Sequence, residues 1–254
     1  MRRYSSYIIC GTPRSGSTLL CGMLAATGVA GRPNSYFRQQ NILDWARSWG
    51  VPPPQGPDDV EFDRSYIAAM LRAGKGGTDV FALRLMWPSL DEAAGRLGRI
   101  RGEPADAAVL FEETFGPTLY VHLSRLDKVS QAISLVRAEQ SGLWHVAPDG
   151  TVLEGAASPR PITYDADRIG ALVAELEADD AAWADFFATR QIEPLKLIYE
   201  TMTADPRRAL ADVLSALGCD PEVAGTIDVG TAKMADATSL AWAEQYRRDR
   251  GAQG

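Results

Sequence analysis

Cysteine and histidine are scarce in this chain, three and two among 254 residues. Cys10, Cys21 and Cys219 form no CxxC pair, so neither a disulfide framework nor a zinc site is expected. His122 and His145 are too few for a histidine-rich metal site. Long apolar runs are missing too; none approaches the roughly 20 residues that a membrane-spanning helix needs. At the N-terminus, "MRRYSSYIICG" places two arginines before an apolar run of about four residues, too short for a secretory signal. Together these absences predict a cytoplasmic protein with no integral membrane segment. Positive charge is not in excess either. The net charge of −7 argues against a nucleic-acid partner, yet leaves room for a local basic pocket.

What is present is ordinary for a globular protein: 46% hydrophobic and 23% charged residues. The length suits one large domain, residues 1–254. "YIIC" (7–10) is a short apolar run bounded by glycine and reads as a buried strand. Leu19, Leu20, Met23 and Leu24 then recur at helical spacing, with Gly28 as a stop. Helices are expected over 65–74, 127–140, 167–190, 205–218 and 236–251, and further strands over 79–87, 118–125 and within 193–202. Residues 50–58, "GVPPPQGPD", read as loop. The stretches 34–60 and 145–165 read as excursions suited to an acceptor site. Strands alternating with helices predict an α/β fold with a central, mainly parallel sheet flanked by helices. Ligands bind such sheets outside the carboxyl ends of the strands.

The turn "GTPRSGST" (11–18) sits at such an end, between a strand and a helix start. Gly11 and Gly16 let backbone approach an anion closely, and the helix start turns N–H groups towards it. Ser15, Ser17 and Thr18 add hydroxyls. A nucleotide-triphosphate loop carries lysine after its second glycine; here that position is Ser17. Arg14 supplies the fixed charge instead. Arg84 and Arg125 stand near the ends of two other strands, where a magnesium-binding aspartate would be expected in such an enzyme. The pattern points to a ligand with two separated anionic groups held by protein cations. For Arg125 the plain alternative is a surface ion pair.

The segments "TPRSGSTLL", "TGVAGRPNSYF", "LRLMW", "VHLSRLDKVSQAISLVRAEQ", "EPLKLIYE" and "MADATSLAWAEQYRRD" resemble, in order, the Stf0-type bacterial sulfotransferases. The resemblance runs from about residue 7 to 250 and is weakest over 51–78 and 88–117. It implies a P-loop-like three-layer fold and 3′-phosphoadenosine 5′-phosphosulfate (PAPS) as sulfuryl donor, with adenosine 3′,5′-bisphosphate (PAP) as product and no metal. It further implies a carbohydrate or glycolipid acceptor, and allows a homodimer. On this resemblance Arg14, Ser15, Gly16, Ser17 and Thr18 grip the 5′-phosphosulfate. Arg125 and Ser134 bind the 3′-phosphate, Ser130 is a neighbouring hydroxyl one helical turn away, and Lys233 stands where the family often has a basic residue near the donor.

One departure bears on catalysis. Family members that sulfate trehalose carry a glutamate, the proposed general base, just before the aromatic pair that here is Tyr36-Phe37. This chain has Ser35 there, which has no useful pKa for accepting a proton. Replacement bases are His122, His145 over the acceptor site, and Asp44 beside Trp45. Tyr36, Phe37 and Trp45 are the aromatic candidates for acceptor contact. Arg84 would stabilise the transferring group or only bond a strand end. The alternatives are a catalytically silent PAPS- or PAP-binding protein and a P-loop kinase with an unusual loop.

Overall fold

A computed structural model describes residues 3–146, 152–155, 160–228 and 236–251. Its centre is a four-stranded, wholly parallel sheet in the order β2-β1-β3-β6. The strands are β1 (Ser6–Gly11), β2 (Phe81–Met86), β3 (Thr118–Ser124) and β6 (Leu195–Ile198). β1 is buried along its whole length because it lies between two strands and under helices on both faces. A β-branched and aromatic run with no charge is what such a position demands.

Alternation along the strands separates two cores. Ile8 and Cys10 of β1 pair with Leu83 and Leu85 of β2 and face one cluster. That cluster takes side chains from α2 (Ile42–Ser48), α3 (Val60–Lys75), α4 (Leu90–Arg101), α5 (Ala107–Phe115) and the distal half of α7 (Ala166–Thr189). Tyr7 and Ile9 face the other cluster, built on α1 (Ser17–Ala26), α8 (Tyr199–Ala204) and α9 (Pro206–Ala216). A third, smaller core joins α6 (Lys128–Ser141), the first half of α7 and α10 (Ala237–Gly251). β4 (Leu143–Val146) and β5 (Val152–Gly155) form a separate antiparallel pair that begins two residues before the expected 145–165 excursion and runs into it.

Three helices differ from the sequence expectation. α3 starts at Val60, five residues before the apolar periodicity becomes legible, because the Asp59 side chain caps it by accepting from the Phe62 N–H at 3.0 Å. α4 and α5 lie within 88–117, outside the elements expected from the sequence. α4 is tied to α3 by Asp63, 1% exposed, which accepts from Arg96 and from Arg99 Nε at 2.8 Å. Among the described residues no helix is long and apolar enough to cross a membrane.

Candidate active site

β1 ends at Gly11 and α1 begins at Ser17, so five residues make the turn. Two of them hold positive φ: Gly16 at 86° and Arg14 at 63°. For arginine that conformation is strained, and such strain concentrates at functional sites. Gly16 is obligatory in a second way. A Cβ there would lie 2.6 Å from the Tyr199 ring and 2.8 Å from Met202 Cε. At Gly11 it would lie 2.7 Å from the Leu123 carbonyl oxygen of β3. The Trp183 indole N–H donates to the Gly11 carbonyl at 3.0 Å and pins the end of β1 from α7.

The turn presents donors that no acceptor uses among the described residues. Among the described residues the N–H groups of Ser15, Gly16 and Ser17 donate to nothing. The buried Ser15 hydroxyl has no partner there either. These groups stand at the positive end of the α1 dipole. They fit a phosphate or phosphosulfate.

Three arginines frame the turn. Arg14 Nε donates to Ser134 Oγ of α6 at 3.0 Å, and its Nη1 donates to the Trp144 carbonyl of β4. Arg84 Nε donates to Ser35 Oγ and its Nη1 to Thr18 Oγ1, both at 2.8 Å. Arg84 sits two residues before the end of β2, paired with Ile9, and so rises beneath the start of α1. Arg125, just past β3, donates from Nη1 to the Arg14 carbonyl at 3.3 Å. Its guanidinium lies over the Tyr199 ring, 4.3 Å from the centroid, and its buried Nε has no partner among the described residues. An arginine nitrogen buried this way is a donor waiting for an acceptor. Arg14, Ser134, Arg125, Thr18, Arg84 and Ser35 thus belong to one connected site.

The other candidate residues fall elsewhere. Ser130 Oγ donates to Asp127 Oδ2 at 2.7 Å, a helix-capping role. Phe37 is fully enclosed and Tyr36 nearly so; both belong to the core, with Tyr36 packed on Trp45 and Trp49. Trp45 is half-buried and stacks on Trp49. Asp44 is exposed and paired with Arg47 at 3.1 Å. His145 lies in β4. Lys233 lies outside the described residues. His122 pairs with Cys10 in the sheet and tilts against Phe187; burial lowers its pKa, partly countered by Asp180. Burial also pushes the Cys21 thiol up to about 11, so it is not a thiolate.

Sequence reasoning missed Gln131 and Trp183, which hold the turn from behind. Their apolar neighbours at helical spacing made both look like ordinary core positions. Among the described residues no cluster of three histidine, cysteine or carboxylate side chains could hold a metal.

Fold and site together define an α/β protein with a glycine-rich strand-to-helix turn and three arginines at the carboxyl ends of a parallel sheet. Residues 6–249 match the model of the Stf0 sulphotransferase family, and the chain belongs to that family. A trehalose 2-sulfotransferase of Mycolicibacterium smegmatis is 31% identical over 266 residues, covering 96% of this chain and 95% of the relative. A trehalose 2-sulfotransferase of Mycobacterium tuberculosis is 28% identical over 267 residues, covering 98% and 96%. The sulfotransferase domain of the Synechococcus olefin synthase is 17% identical, with a TM-score of 0.47, covering 95% of this chain and 86% of that one.

Proposed function

We propose that this chain is a sulfotransferase that moves a sulfuryl group from PAPS to a hydroxyl of a carbohydrate acceptor, free or in a glycolipid, without a metal. The observation that carries the reading is the convergence of Arg14, Arg84 and Arg125 on one turn whose N–H groups at Ser15, Gly16 and Ser17 are unspent among the described residues. A donor with a 5′-phosphosulfate and a separate 3′-phosphate matches two groups of polar side chains, one at the turn with Arg14 and one at Arg125 with the Ser134 hydroxyl. The transferred sulfuryl group carries less charge than a γ-phosphoryl group, so fixed arginines can replace lysine and magnesium.

In the reaction the acceptor hydroxyl oxygen attacks sulfur and gives up its proton to water, and the bond from sulfur to the 5′-phosphate oxygen breaks. The departing electron pair stays on that oxygen, beside the turn's N–H groups and Arg14. Arg84 holds two hydroxyls by their oxygens, Ser35 and Thr18. A serine whose oxygen already accepts from a guanidinium keeps its own proton to donate. Ser35 therefore orients the acceptor by donating to it and is not the base. His122, held neutral by its surroundings, faces the α7 side of the sheet, away from Arg84.

The donor state of Ser35 also favours a second reading, a protein that binds PAPS or PAP and transfers nothing. One experiment separates the two: incubation with sulfate-labelled PAPS and either trehalose or glycolipid extract. Label on a hydroxyl acceptor supports the enzyme. Binding of PAP without label transfer supports the silent binder, and neither binding nor transfer contradicts both.

A further inference from the structure

Behind the turn lies a polar network that holds its backbone. Gln131 of α6 is fully buried. Its amide nitrogen spends both protons on the turn, on Thr12 Oγ1 at 2.8 Å and on the Pro13 carbonyl at 2.7 Å. Its Oε1 accepts from Lys128 Nζ at 3.4 Å. Lys128 is 14% exposed and spends its other donors on the Arg125 carbonyl, at 2.6 Å, and on Asp180 of α7, itself 16% exposed. The Arg125 side chain closes the ring by donating to the Arg14 carbonyl. The backbone of 12–14 and the backbone of 125 are thus joined on two sides, by Arg125 in front and by Gln131 and Lys128 behind.

Burying an amide and an ammonium this deeply costs free energy unless every donor is used, and here every donor is used. Simple packing would have placed an apolar residue at 131, beside Ala132 and Ile133. We propose that Gln131, with Lys128 and Asp180, is a positioning device that fixes the distance between the anion turn and Arg125. It thereby sets the preference for a nucleotide with two anionic groups over a nucleotide with one. This rests on the donor reading above. The N–H groups of Ser15, Gly16 and Ser17 lie beyond the Thr12 and Pro13 atoms that Gln131 holds, so gripping one anion leans on residue 131 less than bridging two sites, which requires their spacing to be held.

The test is calorimetric titration of the full chain with adenosine 3′,5′-bisphosphate and with adenosine 5′-monophosphate. Wild type and Gln131→Met, a variant of equal length that makes none of these hydrogen bonds, are compared. The expected result is a loss of about tenfold in affinity for the bisphosphate, with monophosphate affinity changed less than about twofold. Equal losses for both nucleotides, or none, would overturn the proposal. If Gln131→Met does not fold, Lys128→Met/Asp180→Leu removes the ion pair as a unit and leaves no buried charge orphaned. The same selective loss is expected of it, and a uniform loss or none counts against the proposal. Wild type failing to prefer the bisphosphate would instead overturn the donor reading, and this inference with it.

Discussion

Replacing Gly16 with alanine tests whether the turn is shaped by its backbone. The φ of 86° costs an L-residue about 1–2 kcal/mol. The new Cβ would meet the Tyr199 ring at 2.6 Å and Met202 Cε at 2.8 Å, and overpacking of this kind costs about 1–3 kcal/mol. The sum, about 2–5 kcal/mol, is large but below the stability of many domains, so the variant is expected to fold. Function should suffer more than stability. The Tyr199 ring that must move also carries the Arg125 guanidinium, 4.3 Å above its centroid. Urea denaturation should show a lowered midpoint at unchanged slope, and PAP binding should weaken by more than tenfold, about 1.4 kcal/mol. Gly22→Ala is the control. Gly22 lies in α1, a Cβ there meets nothing within 4 Å, and alanine should add about 0.5–1 kcal/mol. A Gly16→Ala protein with unchanged midpoint and unchanged PAP affinity would refute the reasoning.

Asp63→Asn should destabilise by about 1–3 kcal/mol, read by denaturation, because Arg96 and Arg99 would lose the buried carboxylate they share and keep only Glu92 and Asp58. Arg84→Lys can reach one of the Ser35 and Thr18 hydroxyls but not both; transfer should fall about 10- to 100-fold in kcat with little change in PAP affinity, and equal effects on both would contradict the assigned role. His122 has a lowered pKa in the folded chain, so below about pH 6.5 the unfolded state binds the extra proton first. Stability present above that pH should fall as the solution is acidified towards the folded pKa, and His122→Gln should remove that part of the pH dependence. A slope identical in the two proteins would dismiss the effect.

The strands and the turn were legible because their signals are local. An apolar run, a glycine and a helical spacing sit next to one another in 7–24. α4 escaped because Gly95 and Gly98 lower its helix propensity, while its hold on α3 comes from Asp63, more than thirty residues away in sequence. Tyr36 and Phe37 looked like a ligand-facing pair, since no periodicity marks a buried loop residue; only the aromatic packing around Trp45 and Trp49 places them in the core. Gln131 escaped for the opposite reason. Its neighbours Ala132 and Ile133 mark a buried face, and a buried amide is explained only by its partners Thr12 and Pro13, well over a hundred residues distant.

Calorimetric titration of wild type with adenosine 3′,5′-bisphosphate in the presence of a metal chelator bears most directly on the central claim, two anion sites served by protein cations alone. The account predicts saturable one-to-one binding that added magnesium does not strengthen and that ATP with magnesium fails to displace. Absence of binding until magnesium is supplied, or displacement by ATP with magnesium, would contradict it.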